Sequence, residues 1–173
     1  MTADALNGFH LEELPFLTQL SLRAGPGGPA AAAVETALGD PLPAPCTLTR
    51  ARDADVLWLG PDEFLLLAPP GRQPYLAHEL RKAIGPEFAS VTDVSAQRTT
   101  LDLSGPGVTG VLARGCAIDL DPRVSPPGTC VQTLLARAGV ILVVDDPGRI
   151  RLLVRPSCAP YLTDWLADAS AGA

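Results

Sequence analysis

The chain has little of what most catalytic or nucleic-acid-binding proteins use. Its 173 residues include only two histidines, four cysteines and a single methionine, and the formal net charge is −6. It has no run of lysines or arginines, and nucleic-acid recognition normally needs a clustered basic face. The longest apolar runs, such as residues 140–144, have strand length and are too short to cross a bilayer. We therefore expect neither nucleic acid nor a membrane as a partner.

The four cysteines, Cys46, Cys116, Cys130 and Cys158, are scattered and form no C-x-x-C motif. The N-terminal segment is acidic and contains no early lysine or arginine, unlike a secretory signal or a transit peptide. Together these features predict reduced thiols in a cytoplasmic protein rather than a disulfide framework.

Metal-ligand and catalytic patterns are also missing. We expect His10 in a loose N-terminal arm and His78 on a helix, and no His/Cys spacing suits zinc or iron. Two pairs of adjacent carboxylates, Asp62-Glu63 and Asp145-Asp146, fall at hairpin turns, where we expect solvated acids rather than an acid/base pair. The sequence therefore predicts no catalytic, cofactor-binding or metal-binding residue in this chain.

One motif would argue otherwise if taken alone. Gly105, Gly107 and Gly110 spell G-x-G-x-x-G directly after a strand-like segment at residues 99–103. A dinucleotide-binding turn follows a fully buried parallel strand and opens a long helix. Here the strand alternates apolar and polar residues, Pro106 interrupts the motif, and the following helix, at about residues 107–114, is short. We interpret the motif as a structural turn; a dinucleotide-binding module is the weakest alternative.

An internal duplication supports this interpretation, because the same turn occurs twice. Each half contains a strand leading into a Gly-Pro turn, a helix of small residues, a hairpin, and a helix beginning Pro-Tyr-Leu. These elements fall at residues 20–27, 29–38, 55–67 and 74–80 in the first half, and at 101–107, 108–114, 139–154 and 160–166 in the second.

The repeated order predicts the fold class. We expect an α+β fold of duplicated ferredoxin-like halves, with antiparallel or mixed sheets and helices on one face. Residues 1–90, including the N-terminal arm, would form the first half and residues 91–173 the second, closely packed as one unit. Strands at residues 88–94 and 97–103 would join the two halves.

Three segments carry a resemblance to a known family. Residues 57–66 (Leu-Trp-Leu-Gly-Pro-Asp-Glu-Phe-Leu-Leu), 91–99 (Val-Thr-Asp-Val-Ser-Ala-Gln-Arg-Thr) and 115–123 (Gly-Cys-Ala-Ile-Asp-Leu-Asp-Pro-Arg) resemble gamma subunits of heterotetrameric sarcosine oxidases. The similarity spans roughly residues 16–169. The second half more remotely resembles the folate-binding aminomethyltransferase fold of the glycine cleavage system, which also has an Asp-x-Ser, a Gly-Pro turn and a terminal helix with Trp-Leu.

The resemblance implies a subunit and not a free-standing enzyme. The family's complex demethylates sarcosine to glycine with oxygen as acceptor, forms hydrogen peroxide, and passes the one-carbon unit to tetrahydrofolate. FAD, FMN, NAD, the folate site and zinc are held by other subunits, and none of them is expected in this chain. The gamma subunit is then a structural partner, chiefly of the alpha subunit, within a complex that also contains beta and delta subunits.

Asp119 supports an alternative function. It matches the position where aminomethyltransferases place an aspartate facing the folate nitrogen, which would make the chain a small folate-binding protein for one-carbon transfer. The chain has about half the length of that family and lacks the C-terminal portion that helps close the folate pocket. An aspartate that opens a turn before Pro122 is the interpretation we prefer.

Finally, the composition predicts an interface. Apolar residues make up 47% of the chain but aromatic residues only 5%, and two small halves cannot bury all of this apolar surface. We expect exposed aliphatic surface that promotes self-association of the isolated chain, and an extensive, partly apolar contact with its partner.

Overall fold

The computed structural model describes residues 2–4 and 8–171 of the chain, with only the backbone for residues 2–4. The strands are β1 (Thr2–Asp4), β2 (His10–Glu13), β3 (Thr18–Ala24), β4 (Leu48–Arg50), β5 (Asp55–Gly60), β6 (Glu63–Ala68), β7 (Ala89–Asp93), β8 (Thr99–Ser104), β9 (Cys130–Leu135), β10 (Ala138–Asp146) and β11 (Arg149–Val154). The helices are α1 (Pro29–Leu38), α2 (Gln73–Ile84), α3 (Val108–Leu112) and α4 (Ala159–Ala171). The chain divides into two compact units, which we call the first unit (residues 16–96) and the second unit (the described residues up to 15, together with 97–171).

The first unit is a five-stranded antiparallel sheet with the strand order β4-β5-β6-β3-β7. Its helix α1 starts at Pro29, because the first position of a helix does not need a backbone N–H donor. The helix ends at Leu38, and Gly39 follows it in a left-handed conformation with a φ of 79°. Side chains alternate between the two faces of a strand and return to the same face of a helix about every 3.6 residues. Alternate strand residues therefore pack against one face of each helix. The resulting core contains Leu20, Leu22, Val34, Phe64, Leu66, Leu76 and Leu80, among others.

The second unit is a six-stranded antiparallel sheet with the order β1-β2-β8-β11-β10-β9. Helices α3 and α4 contribute to its core with apolar residues at helical spacing, including Leu162 and Leu166 from α4. The central strands supply the other side of this core, with Leu101, Leu103, Leu142 and Leu152. The fold is therefore α+β with antiparallel sheets, as the sequence predicted.

The duplication extends to the hydrogen-bonding register. Thr18 on β3 pairs with Ala68 on β6, and the equivalent Thr99 on β8 pairs with Val154 on β11. The two units also exchange strands at the ends of the predicted halves: β1 and β2, from the start of the chain, belong to the second unit, and β7, at the predicted boundary, belongs to the first. Strand β2 precedes β3 in the chain but pairs with β8, and β7 precedes β8 but pairs with β3.

This exchange of strands changes the boundary that the sequence predicted at residues 90 and 91. The contacts group residues 8–15 with residues 97–171, and residues 16–96 form the other unit. His10 is not in a loose arm: it begins β2 and pairs with Ser104 on β8. The physical reason is that strand pairing satisfies backbone groups across about ninety residues of sequence, which a local pattern does not reveal.

Candidate functional site

The glycine motif forms the connection between β8 and α3. Gly105 has a φ of 109°, a conformation that favours glycine. A Cβ atom at this position would lie only 1.6 Å from the carbonyl oxygen of Gly8. The Gly105 N–H donates to the carbonyl oxygen of Gly148, at 2.9 Å. The first glycine of the motif is therefore needed for backbone packing within the second unit.

The other two glycines of the motif are not constrained in this way. Gly107 has a φ of −80°, which any residue adopts, and a Cβ at Gly110 would meet nothing within 4 Å. The helix that follows has only five residues, so it offers little of the dipole that binds a pyrophosphate in dinucleotide-binding folds. This geometry supports the structural interpretation of the motif.

Asp119 lies in the loop between α3 and β9 and is exposed. Its Oδ1 accepts a hydrogen bond from the N–H of Asp121 at 2.9 Å, which makes an Asx turn. Its carbonyl oxygen accepts a hydrogen bond from the hydroxyl of Ser125 at 2.6 Å. Both interactions stabilise the loop that leads through Pro122, and they account for the aspartate without a ligand.

The same loop contains a second, overlapping turn. Asp121 accepts hydrogen bonds from the N–H of Arg123 at 2.9 Å and from the Arg123 guanidinium at 2.9 and 2.7 Å. The guanidinium contact first, and the backbone N–H second, hold the pKa of Asp121 below its ordinary value. The Asp121 carboxylate is thus a loop constraint that stays ionised at neutral pH, which does not suit a proton-transfer group.

One of the predicted solvated acids is not solvated. Asp145 is buried, at the register shift between Val144 and Asp146 on β10, and its carboxylate forms a two-point ion pair with Arg151 of β11 at 2.5 and 2.7 Å. The expectation was wrong for this residue because β10 extends to Asp146, so that Asp145 lies in the strand beside a register shift and not in the turn. Asp62, in the first unit, does lie at the surface and pairs there with Arg23 at 3.0 Å.

The cysteines and histidines do not converge. Cys130 is buried, Cys116 and Cys158 are half-buried, Cys46 is exposed, and all four are free thiols. His78 is exposed on α2, where its nearest charged partner is Glu79 at 4.0 Å. Within the part of the chain that the structure describes, no three His, Cys, Asp or Glu side chains come close enough to hold a metal ion.

A cleft of about 370 Å³ in the second unit lies between α4 and strands β2 and β8. Apolar residues such as Leu11 and Leu101 line it, together with two carboxylates, Glu13 and Asp164, and no lysine or arginine. A phosphate or a folate carboxylate in this cleft would face two negative charges and no positive one. The cleft therefore offers no cationic partner to a phosphate or to the carboxylate tail of a folate.

Several large apolar side chains are exposed at the surface of the chain. Four of the eight aromatic residues of the chain are exposed, together with two large aliphatic ones: Phe16, Tyr75, Phe88, Tyr161, Val124 and Leu134. Aromatic side chains are enriched in protein–protein contacts. Exposed apolar side chains are thus present, and among these six the aromatic ones outnumber the aliphatic ones. None of the helices in the described ranges is long and apolar enough to cross a membrane.

Comparison with known proteins agrees with this geometry. The sarcosine oxidase subunit gamma of Corynebacterium sp. (strain P-1) is 40% identical over 161 residues, which are 92% of this chain and 78% of the relative. The subunit gamma of an Arthrobacter species is equally similar, with 40% identity over the same shares of the two chains.

Solved structures extend the likeness to the fold. A chain of the heterotetrameric sarcosine oxidase from Corynebacterium sp. U-96, in complex with pyrrole 2-carboxylate, superposes with a TM-score of 0.87 at 40% identity. The match covers 95% of this chain and 84% of that chain. The aminomethyltransferase T of the glycine cleavage system from Bartonella henselae matches 92% of this chain and 45% of its own length, with a TM-score of 0.66 and 16% identity. The latter likeness shows a shared fold and no more.

The family assignment rests on nearly the whole chain. The sequence model of the sarcosine oxidase, gamma subunit family matches residues 23–172, which include most of both units, the glycine turn and the Asp119 loop. The chain belongs to the sarcosine oxidase gamma subunit family.

Proposed function

We propose that this chain is the gamma subunit of a heterotetrameric sarcosine oxidase, in which it acts as a structural partner, chiefly of the alpha subunit. The complex oxidatively demethylates sarcosine to glycine, forms hydrogen peroxide from oxygen, and transfers the one-carbon unit to tetrahydrofolate. FAD, FMN, NAD, tetrahydrofolate and zinc bind to the partner subunits. With four free thiols among the described residues, the cytoplasm is the compartment we propose for it.

One observation carries the proposal. The chain superposes over 95% of its length on a chain of a heterotetrameric sarcosine oxidase, with 40% identity and a TM-score of 0.87. At this level of similarity the strand exchange, the turns and the surface that they present are expected to be shared. A role in the same kind of assembly is the simplest consequence.

The fate of the candidate site residues supports a structural role. Gly105 packs against Gly8, the Asp119 carboxylate closes an Asx turn, and Asp145 pairs with Arg151 inside the second unit. These three residues, which the sequence singled out as chemically interesting, thus have a folding explanation. Phe16, Phe88 and Tyr161 are exposed as well, and exposed aromatic side chains suit a protein contact.

The folate-binding alternative has less support. The structural likeness to an aminomethyltransferase comes with 16% identity, and Asp119 is exposed and bonded within its own loop. The cleft between α4 and strands β2 and β8 offers no cation to the carboxylate tail of a folate. No observation favours this alternative over the subunit role.

An omission experiment tests the proposal. The alpha, beta and delta subunits are produced with and without this chain, and the yield, thermal stability and sarcosine-dependent hydrogen peroxide production of the purified complexes are compared. We expect omission to lower the yield or the stability of the remaining subunits. Full assembly and full activity without the chain would contradict the proposal.

A further inference from the structure

The two duplicated halves differ at one edge. Strand β2 of the second unit carries another strand on its outer side: Ala3 of β1 pairs with Leu11 of β2. Strand β7 holds the equivalent position in the first unit, next to β3, and is the last strand of its sheet. Among the described residues, no strand pairs with the outer side of β7.

The register shows which backbone groups this edge presents. The N–H of Val94 donates to Gln19, and the N–H of Leu14 donates to Thr100, so these two pairs mark the same place in the two units. Hydrogen-bonded and non-hydrogen-bonded pairs alternate along an antiparallel ladder. Counting back from these pairs, Ser90 and Thr92 bond to β3, while Ala89, Val91 and Asp93 turn their N–H and C=O groups outward.

The same count identifies Val91 as the equivalent of Leu11. In the second unit, the outward groups of Leu11 pair with Ala3. In the first unit, the outward carbonyl oxygen of Val91 accepts a hydrogen bond from the Arg81 guanidinium at 2.6 Å. The chain therefore satisfies one acceptor of this edge with a side chain, at the position where its duplicate uses a strand.

A second, independent feature lies at the start of the same edge. The Phe88 side chain is 100% exposed, the largest exposure among the large apolar residues of the described chain. Ser90, Thr92 and Asp93 are also exposed. Fully exposed aromatic residues beside an unpaired strand are a liability in a free protein and an anchor in a complex.

We propose that the β7 edge receives an extended segment of a partner subunit, which pairs with Ala89, Val91 and Asp93 as β1 pairs with β2 and replaces the Arg81 guanidinium at the Val91 carbonyl oxygen. The proposal rests on the proposed function, because it requires that the chain work within the oxidase complex. The segment carries an acidic residue that binds the Arg81 guanidinium and an apolar residue that packs on Phe88. Backbone pairing of this kind is a common mode of peptide recognition.

Charge decides between a partner segment and a second copy of this chain. Two β7 strands paired antiparallel around Val91 would bring two Arg81 guanidiniums to the same place. Like charges placed opposite each other across a contact oppose association. A segment with a carboxylate at this point would instead form a charge-assisted hydrogen bond.

Amide hydrogen exchange tests the pairing residue by residue. In the isolated chain we expect the N–H groups of Ala89, Val91 and Asp93 to exchange fast, and those of Ser90 and Thr92 to be protected by β3. In the complex of all four subunits, the three outward amides should slow by at least about tenfold, since a new hydrogen bond must open before exchange. Unchanged exchange of these amides in an assembled complex would overturn the proposal.

The outcomes separate this inference from the proposed function. If the chain does not co-purify with the alpha, beta and delta subunits, the proposed function fails. If it co-purifies but the outward amides exchange as in the free chain, only the β7 proposal fails. Protection that appears in the free chain and grows with its concentration would identify a second copy as the occupant, and would also contradict the proposal.

A pair of variants gives a second readout. Phe88→Ser removes an apolar side chain that is fully exposed, so it should leave the melting temperature of the free chain unchanged. We expect it to weaken binding of the chain to the other three subunits by about tenfold. Val124→Ser, at another exposed apolar residue, is the matched control. Equal affinities of wild type, Phe88→Ser and Val124→Ser would contradict the proposal.

Discussion

Gly105 and Gly8 lie so close that a Cβ on Gly105 would come 1.6 Å from the Gly8 carbonyl oxygen. This contact, together with the φ of 109° at Gly105, predicts that Gly105→Ala destabilises the protein by about 3 kcal/mol. Gly110→Ala is the matched control: it lies in α3 with open space around it, and it should be neutral or stabilise by up to about 1 kcal/mol. Denaturant unfolding of the two variants measures the difference, and equal stabilities would contradict this account of the turn.

Titration with dinucleotides tests whether the same motif binds a cofactor. We expect the purified chain to be colourless and to bind neither NAD nor FAD in calorimetric titrations, because the turn is used for packing. Gly107→Val, at a glycine with ordinary backbone angles, should leave this result unchanged. Micromolar binding of NAD or FAD that Gly107→Val abolishes would show that the motif holds a cofactor.

The ion pair between Asp145 and Arg151 should respond to single and double substitution differently. Arg151→Met leaves the Asp145 carboxylate buried beside an apolar side chain, which should cost about 3 kcal/mol. The double variant Asp145→Val/Arg151→Met should recover much of this loss, since no buried charge remains. Asp62→Ala, which breaks a surface pair, should change stability by less than about 1 kcal/mol. Additive losses in the double-mutant cycle would contradict the buried pair.

Asp119 allows a test of the folate alternative within the assembled complex. Asp119→Asn keeps an oxygen acceptor for the Asp121 N–H, whereas Asp119→Ala removes it and should destabilise the chain by about 1 kcal/mol. We expect both variants to leave folate-dependent turnover unchanged, measured as formation of the tetrahydrofolate-bound one-carbon product. Loss of this turnover in Asp119→Asn, with assembly intact, would assign Asp119 to an active site.

Local patterns predicted the elements of this fold well. Apolar segments on either side of a Pro-containing turn in residues 55–67 and 139–154 marked both hairpins, and Gly-Pro turns marked the starts of α1 and α3. The order of elements in the two halves was also predictable, because duplication leaves similar turns at similar spacing. These signals act over a few residues, where backbone conformation and periodicity decide the structure.

Long-range pairing was not predictable in the same way. The four residues of β2 were assigned to an arm of the first half, because nothing near His10 in the sequence indicates that its partner is Ser104. Asp145 was placed in a turn because a register shift cannot be read from the sequence; the bulge that turns it toward Arg151 depends on how β10 pairs with β11. Likewise, the open edge of β7 became visible only from its comparison with β2.

Co-elution with the other subunits tests the central claim most directly. The alpha, beta, delta and gamma chains are co-expressed with a tag on the alpha subunit alone, and the purified material is analysed by gel filtration and native mass spectrometry. We expect this chain of 18.0 kDa to co-elute with the alpha subunit in a stable complex, in a fixed stoichiometry. A chain that elutes alone as a well-behaved monomer, while the other three subunits assemble with full sarcosine oxidase activity, would contradict it.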